Sequence, residues 1–495
     1  LSVEFPDKVE KEAEKKSKEN QEKEIKKRKD MRGALTFTID PDDAKDFDDA
    51  ISFVEKEENL FEIGVHIADV SHFVAEGTGL DKEAKSRATS VYLVDRVVPM
   101  LPEILSNNLC SLRPNEDKLT FSAIFHINKN GEVKKEWFGK TVIRSNERLS
   151  YQEAKFLIDS ESLKIPKEVS LNNKERRVER GLTKALLETN EIAKKIRKKR
   201  IGGGAIIFDK TEVKFELDEN KHPKEIKFKK AENANKLIEE LMLLANKRVA
   251  EKVKKFEKKP KFIYRVHDKP DQEKLKNLKR TVEKFGHTLN LTKGSIAKEL
   301  NALLLEVDGK KEQNLIDTLM IRSMSKAEYT TKNIGHYGLA FSDYTHFTSP
   351  IRRYPDVLVH RVLEASLNQT KIKNEDELEG LAEHSTEKEI HATKAERDSI
   401  KLNQVKYMQD KTGKRYEAVI SGVIQRGVFV EVVDNKCEGL VKAKDLPGDF
   451  YVYDLKNHMF KGERTGKKYQ LGDEVAVVLQ GADLVKKQLD FQVVS

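Results

Sequence analysis

Apolar and polar positions divide the chain into a long region of mixed periodicity and a shorter region of strands. Residues 61–74, FEIGVHIADVSHFV, alternate apolar and polar side chains as a strand does. Residues 233–253 carry apolar side chains three and four positions apart, which predicts an amphipathic helix. From residue 414 onward, short apolar runs alternate with glycine turns, a pattern typical of a small β-barrel. The pattern therefore predicts a large α+β region followed by an all-β module.

Helix-end signals refine the mixed region. Ser150 precedes an apolar run and Glu153 follows three positions later, so this segment should begin a helix with a capping box. The run at 174–201 ends in basic residues and three glycines, which indicates a helix end. Pro355 fits the first turn of another helix. Further helices are predicted at 81–90, 271–286, 296–306, 312–327 and 394–409.

The beginning of the chain differs from the rest in charge. Residues 8–30 carry 17 charged side chains in 23 positions and lack Gly and Pro, which predicts an exposed helix or a linker. The chain begins at Leu1 rather than at a methionine, so we expect it to be a fragment of a longer protein.

The net charge indicates the class of binding partner, and the cysteines indicate the cellular compartment. Over 495 residues, 93 Lys and Arg face 84 Asp and Glu, and the net charge of +9 favours a polyanionic partner without proving nucleic-acid binding. Cys110 and Cys437 match no zinc or redox spacing, which predicts buried or free thiols in a reducing cytosol. No segment resembles a membrane span, so we expect a cytoplasmic protein. We also expect it to be a monomer.

Six aspartates lie within ten residues, in a segment we call the aspartate loop (residues 40–49). Apolar residues flank the loop on both sides, which predicts a strand entering and a strand leaving it. Carboxylates held this close resist ionising together unless a hard divalent cation neutralises them, so the loop predicts a magnesium site. The alternative is a solvated acidic turn, which the flanking apolar strands disfavour. The six residues are Asp40, Asp42, Asp43, Asp46, Asp48 and Asp49.

The spacing within the loop suits two metal ions. In an extended segment Asp46 and Asp48 project to the same face, and Asp40 can approach from beyond the Pro41 bend. Two ions about 4 Å apart would activate a water and stabilise the leaving oxygen in phosphodiester hydrolysis. An EF-hand is excluded because Ala50 stands where a third ligand is needed and the glycine is absent.

The run TIDPDDAKDFDDA resembles the signature of the ribonuclease II and ribonuclease R family of exoribonucleases. The resemblance, closest to ribonuclease R, covers about 34–495 and implies that Asp40, Asp46, Asp48 and Asp49 hold magnesium, in two ions, while Asp42 and Asp43 are spectators. In ribonuclease R-like proteins a charged segment like the one here follows small cold-shock-type domains, and no such domain precedes it in this sequence.

A second motif, SPIRRYPD, is also a hallmark of this family. We call residues 349–354 the arginine turn, since it places two guanidinium groups at a helix start, where peptide N–H groups favour phosphate. The resemblance implies that Arg352 contacts the scissile phosphate. Arg353 binds phosphate or pairs with a carboxylate. The nearby His336, His346 and His360 lack metal-binding spacing and are expected to be structural.

Aromatic residues and glutamates complete the site that the resemblance implies. Tyr92 would stack on the base at the 3′ end of RNA, Phe208 would clamp the bases from the opposite side, and Tyr151 would sense the ribose. Each of the three could equally be a packing residue. A glutamate of the 239–240 pair, Glu239 rather than Glu240, would contact the terminal nucleotide. Glu396 matches another family glutamate near the active site, although a surface salt bridge would look the same in sequence.

The last region, ISGVIQRGVFVEV followed by EGLV, resembles the RNA-binding OB fold first found in a ribosomal protein. Phe429 would offer a stacking face there. Lys442 stands where many such domains carry histidine.

Together these features predict an RNB-type α+β catalytic domain at 34–410, preceded by the charged segment 1–33 and followed by an OB-fold domain at 413–495. The resemblance implies a processive, magnesium-dependent, hydrolytic 3′-to-5′ exoribonuclease that acts on 3′ ends of single-stranded RNA and releases nucleoside 5′-monophosphates. The alternative is an RNA-binding protein with an inactive catalytic domain, in which one of the four aspartates should be lost. All four are present.

Overall fold

The secondary structure follows the predicted division into a mixed region and a strand-rich end. The computed structural model describes residues 3–207, 211–230, 232–291, 295–310, 312–372, 374–455 and 459–494. The strands of these residues are β1 (Lys29–Asp30), β2 (Leu35–Asp40), β3 (Asp49–Glu57), β4 (Leu60–Ala68), β5 (Val91–Tyr92), β6 (Val97–Val98), β7 (Asp117–Asn128), β8 (Val133–Arg144), β9 (Glu147–Ser150), β10 (Lys164–Ile165), β11 (Arg176–Arg177), β12 (Thr211–Leu217), β13 (Pro223–Lys230), β14 (Tyr264–His267), β15 (Ala327–Thr330), β16 (Arg415–Ile424), β17 (Gly427–Val432), β18 (Glu438–Lys442), β19 (Tyr451–Asp454), β20 (Met459–Gly462), β21 (Lys468–Gln470), β22 (Glu474–Asp483) and β23 (Gln488–Val494).

The α-helices of the described residues lie mainly before the strand-rich end. They are α1 (Asp7–Ser17), α2 (Glu22–Ile25), α3 (Val70–Phe73), α4 (Gly79–Arg87), α5 (Tyr151–Ser160), α6 (Arg180–Gly202), α7 (Asn233–Lys254), α8 (Gln272–Lys284), α9 (Ile296–Val307), α10 (Gln313–Ser323), α11 (Tyr354–Leu367) and α12 (Leu378–Met408).

A seven-stranded sheet in the order β1-β8-β7-β4-β3-β2-β9 forms the centre of the first domain. Its outer pairs, β1 with β8 and β2 with β9, are parallel, and the pairs between them are antiparallel. Apolar side chains of the sheet join those of α5, α6, α7 and α11 in one core. The long buried strands β4 and β7 fix the middle of the sheet, so the ends of β2 and β3 are held rigidly beside each other.

The strand-rich end is a closed five-stranded barrel, β16-β17-β18-β23-β22, which confirms the predicted OB-type module after an α+β domain. Between β18 and β22 the chain forms a separate sheet of β19, β20 and β21. Val405 and Met408 of α12 are buried in the barrel core, so this helix links the two regions.

Several sequence predictions changed in detail. The strand expected over 61–74 ends at Ala68, and a short helix follows it. The helix expected at 394–409 is the second half of the 31-residue α12.

The capping box at Ser150 and Glu153 is confirmed, with Glu153 N donating to Ser150 Oγ at 3.0 Å. No helix among the described residues is both long and apolar enough to cross a bilayer.

The charged segment at the start is not simply exposed. Val9 and Ala13 of α1 are buried in the main core, and Leu80 N of α4 donates to Glu12 at 3.2 Å. Two apolar residues four positions apart lie on the same face of a helix, and here they pack a highly charged helix against the core. The expected helix is therefore present, and most of its residues are exposed or half-buried, but Val9 and Ala13 anchor it in the core.

Helices α8, α9 and α10 form a small unit with its own apolar core, which includes Leu278, Leu300 and Ile316. His287, only 5% exposed, ties the unit together, because Nδ1 lies 2.6 Å from Glu306 of α9 and Nε2 lies 2.7 Å from Glu312 beside α10. Hydrogen bonds to Glu306 and Glu312 raise the pKa of His287.

We predict that this helical unit loses stability as the pH rises above 6.5, the ordinary pKa of histidine. The pKa of His287 is raised in the folded state, so its stabilising effect is complete below the unfolded value of 6.5 and disappears as the pH passes the folded value. Hydrogen exchange of the α8 and α10 amides, corrected for intrinsic rates, would measure this. His287→Gln should flatten the profile, and the exposed His222→Gln should not. Equal profiles in all three proteins would contradict the prediction.

Candidate active site

The aspartate loop lies at one end of the central sheet, between two neighbouring strands. Asp40 is the last residue of β2 and Asp49 is the first residue of β3. Asp40 and Asp48 are 8% and 6% exposed, whereas Asp46 and Asp49 are half-buried. Asp42 and Asp43 are exposed. The pairing of the strands thus brings the four aspartates of the family signature together and leaves the other two in solvent.

Arg148, on β9 beside β2, holds the loop in shape. Its Nη2 donates to three backbone carbonyl oxygens of the loop, those of Pro41 at 3.2 Å, Asp42 at 3.0 Å and Ala44 at 3.3 Å. Its guanidinium also lies over the Phe47 ring, 4.8 Å from the centroid. A planar group with several fixed donors suits this role, and a lysine would not replace it.

Ser111 fixes the other side of the loop. Its Oγ donates to Lys45 O at 2.7 Å and accepts from Phe47 N at 3.0 Å. Neither Arg148 nor Ser111 was predicted from the sequence. Their partners lie 64 to 107 positions away, so only the pairing of β2 with β9 could have indicated Arg148.

Burial makes the aspartates hard to ionise. Burial and the charge of Asp49 raise the pKa of Asp40 well above its ordinary value. Burial raises the pKa of Asp48, opposed by Arg352 and the Ile351 N–H. Burial raises the pKa of Asp49 to about 6, opposed by Arg352. The group therefore needs additional positive charge before all its members can be ionised together.

The donor atoms fit a hard divalent cation. The ligands on offer are all carboxylate oxygens, and Asp40 Oδ2 is buried without a hydrogen-bond partner. Among the described residues, no three Asp, Glu, His or Cys side chains already form a metal-binding group.

The arginine turn packs directly against the loop. Ile351 N donates to Asp48 Oδ1 at 2.8 Å, and Arg352 Nε lies 3.8 Å from Asp48 Oδ2. The Arg352 side chain is 42% exposed, so its guanidinium can reach a ligand beside the aspartates. Arg352 Nη2 also donates to Ser349 Oγ at 3.1 Å, which orients the group.

Arg353 has a different environment. Its Nη2 donates to the buried Asp356 at 2.7 Å, and Ser349 N donates to the same oxygen at 2.8 Å. Of the two roles considered for Arg353, the structure contains the pairing with a carboxylate. Asp356 therefore links Ser349 and Arg353 and stabilises the arginine turn on its buried side.

Tyr92 and Tyr151 both lie at the aspartate loop. The Tyr92 hydroxyl donates to Asp46 Oδ2 at 3.3 Å, and 40% of the residue is exposed. Burial of the hydroxyl is the main cause that raises the pKa of Tyr92, and the charge of Asp46 is the second. Tyr151 begins α5, directly after the residue that pairs with Asp40. Burial and then the charges of Asp49 and Asp40 raise its pKa.

The predicted glutamates occupy two different places. Glu396 Oε1 accepts a hydrogen bond from the backbone N of Tyr92 at 3.0 Å, so Glu396 belongs to the site region. Glu240 is buried and pairs with Arg200, with Nε donating to Oε2 at 3.1 Å. The Glu239 side chain is 51% exposed and lies 3.9 Å from Arg197. Glu239 is thus the member of its pair with a carboxylate open to a ligand.

The two remaining aromatic predictions are Phe208 and Phe429. Phe208 lies outside the described residues. Phe429 is half-buried on the outer surface of the barrel, where it pairs with Leu440. Lys442, on the next strand, forms an ion pair with Asp490 at 3.3 Å.

Comparison with known proteins finds two domain families in this chain. Residues 28–369 match the RNB domain and residues 409–493 match the S1 RNA binding domain. The chain is 38% identical to a ribonuclease R of Aquifex aeolicus over 500 residues, covering 100% of this chain and 69% of that protein. It is 39% identical to ribonuclease R 1 of Lactococcus lactis over 496 residues, covering 99% of this chain and 59% of that protein.

A solved structure has the same fold over the whole chain. It is that of Mycoplasma genitalium RNase R in complex with ribose methylated single-stranded RNA, with a TM-score of 0.91 and 29% identity. The match covers 100% of this chain and 76% of that one.

We predict that affinity for Mn²⁺, used in place of Mg²⁺, increases between pH 5 and pH 7. The pKa of Asp49 is about 6 without a cation, so at low pH a bound ion must displace protons, and this competition ends as the pH rises. Calorimetric titration would measure the affinity. Asp49→Asn should weaken binding, and Asp43→Asn, which removes an exposed charge from the same loop, should not. Equal losses in the two variants would indicate only diffuse attraction to an acidic turn.

Proposed function

This chain belongs to the RNB-domain family that includes ribonuclease R, and we propose that it is a magnesium-dependent, processive 3′-to-5′ exoribonuclease. Its substrate is the 3′ end of single-stranded RNA and its products are nucleoside 5′-monophosphates. The chain spans 59% to 69% of the length of the two relatives described above. The proposal therefore concerns the activity of the RNB and S1 domains it contains.

The proposal depends on one observation. The aspartate loop, the arginine turn and the strand that carries Tyr92 meet at one place. Asp48 accepts the Ile351 N–H of the arginine turn, and Asp46 accepts the Tyr92 hydroxyl. Carboxylates, a guanidinium group and an exposed aromatic ring thus surround one point. This set suits a phosphodiester that is flanked by a base.

Each group has a chemical task in hydrolysis. Divalent ions held by Asp40, Asp46, Asp48 and Asp49 would activate the attacking water and stabilise charge on the leaving oxygen. Arg352, with its forked donors, stabilises the negative charge that develops on the scissile phosphate.

Substrate binding is proposed to rest on stacking and charge rather than on sequence recognition. Tyr92 stacks on the 3′-terminal base, with Phe208 as the opposing face, and Tyr151 and Glu239 contact the terminal nucleotide. Stacking accepts any base, which suits an enzyme that degrades RNA of any sequence. The S1 barrel, with Phe429 on its surface, would hold the RNA upstream of the site.

The rival proposal is an RNA-binding protein of the same fold without activity. Such a protein should have lost one of the metal-binding aspartates, and the chain retains all four. The raised pKa values of Asp40, Asp48 and Asp49 are in addition of the kind that clusters at catalytic sites.

The proposal is tested with 5′-labelled single-stranded RNA and magnesium. We expect a descending ladder that ends in a short oligomer, and internal fragments would contradict an exonuclease. Asp49→Asn should lower the rate about a hundredfold or more while RNA binding persists, because a metal ligand is lost and the binding surface is intact. Asp43→Asn is the matched control and should retain the wild-type rate.

We further predict that Arg352→Lys is nearly as damaging as Arg352→Ala, with kcat reduced about a hundredfold in both. Lysine keeps the charge but lacks the planar fork that binds two phosphate oxygens. Single-turnover kinetics would give the rates, and the exposed Arg280→Lys is the control for loss of an arginine elsewhere. Near-normal turnover in Arg352→Lys would mean that only a diffuse positive charge is needed.

A further inference from the structure

Tyr92 is carried by a hairpin too short to hold its own position. Its strands, β5 and β6, have two residues each and form two pairs, Val91 with Val98 and Tyr92 with Val97. A hairpin of this length is unstable without support from the rest of the protein. The location of the Tyr92 ring must therefore be set by whatever the hairpin rests on.

The hairpin rests on α12, about 300 positions later in the chain. Tyr92 N donates to Glu396 Oε1 at 3.0 Å, and Val94 N donates to Ser399 Oγ at 3.1 Å. These two side chains accept alternate N–H groups of the hairpin, one at the end of β5 and one in the turn that follows, as a neighbouring strand would. The helix thus supplies the hydrogen bonds that a third strand would otherwise supply.

Apolar contacts complete this support. Val91 and Val98 are buried against Ala392, and Leu93 and Ala395 pack around them. We call Ala392, Ala395, Glu396 and Ser399 the hairpin seat. Their spacing of three, four and seven positions places them on one face of the helix. Two alanines let the strand approach closely enough for Glu396 and Ser399 to reach its backbone.

The hairpin is also tied to the catalytic groups. Ser90 N donates to Arg352 O at 3.0 Å, and the Tyr92 hydroxyl reaches Asp46. A shift of the hairpin on its seat would therefore move the Tyr92 ring relative to both Asp46 and Arg352. The seat itself is rigid, because the same helix continues into the barrel core through Val405.

We propose that Ser399 is a positioning residue that, together with Glu396, fixes the Tyr92 ring over the aspartate loop and so determines how short the final RNA product becomes. The proposal rests on the exoribonuclease function proposed above. Short RNA intermediates make the fewest contacts outside the site, so their binding depends most on stacking at the 3′ end. Long RNA is held by many other contacts and depends little on it.

The test compares Ser399→Ala, which removes the acceptor, with Ser399→Thr, which keeps a hydroxyl. In Ser399→Ala we expect a limit product at least one nucleotide longer and a KM for short oligomers raised about fivefold, as for the loss of one hydrogen bond. The kcat on long RNA should change less than twofold. Ser399→Thr should restore both values, and His391→Ala, on the exposed face of the same helix, should change neither.

Hydrogen exchange of residues 90–98 gives a second measurement that needs no turnover. Exchange at Val94 should be faster in Ser399→Ala than in wild type and normal in Ser399→Thr. An unchanged limit product, or unchanged exchange at Val94, would overturn the proposal. Failure of the wild-type protein to produce any ladder would instead refute the exoribonuclease function, and the exchange result would still decide whether Ser399 holds the hairpin.

Discussion

The site depends on one electrostatic constraint, the burial of aspartates whose charges repel one another at the ends of two paired strands. Within the loop, burial raises the pKa values of Asp40, Asp48 and Asp49, and the charges of neighbouring aspartates raise those of Asp40 and Asp48 further. Arg148 restrains the loop through three backbone carbonyls rather than through the carboxylates. The guanidinium of Arg148 thus restrains the loop without occupying the aspartate oxygens, and Arg352 approaches Asp48 only to 3.8 Å.

The rigidity needed to hold such a cluster comes from contacts between distant parts of the chain. The arginine turn reaches Asp48 from 303 positions away, and α12 reaches the Tyr92 hairpin from 304 positions away. Both segments are anchored in well-packed regions, the arginine turn by the start of α11 and α12 by the barrel core. The aspartate loop, the Tyr92 hairpin and the S1 barrel are therefore connected through the arginine turn and α12.

The sequence indicated most elements correctly where a local signal was strong. The capping box at Ser150 and the helix start at Pro355 follow from side chains within four positions of each other. Predictions were less accurate where burial overrides local character. The apolar packing of the charged α1 rests on Val9 and Ala13. Helix α12 begins at Leu378, well before the predicted segment 394–409, and it contacts β15 and β5 as well as strands of the barrel.

By itself, the sequence determined the motifs on which the proposed function rests. It contained the aspartate loop, the arginine turn and the barrel, because each is written in residues that are close together in the chain. Only the tertiary structure decided which groups act on one another. It placed Arg353 on Asp356, buried Glu240 rather than Glu239, and brought Arg148 and Ser399 to backbone groups that no local pattern links to them. The reason is physical: propensity and periodicity act over a few residues, whereas hydrogen-bond partners hundreds of positions apart are fixed by strand pairing and helix packing.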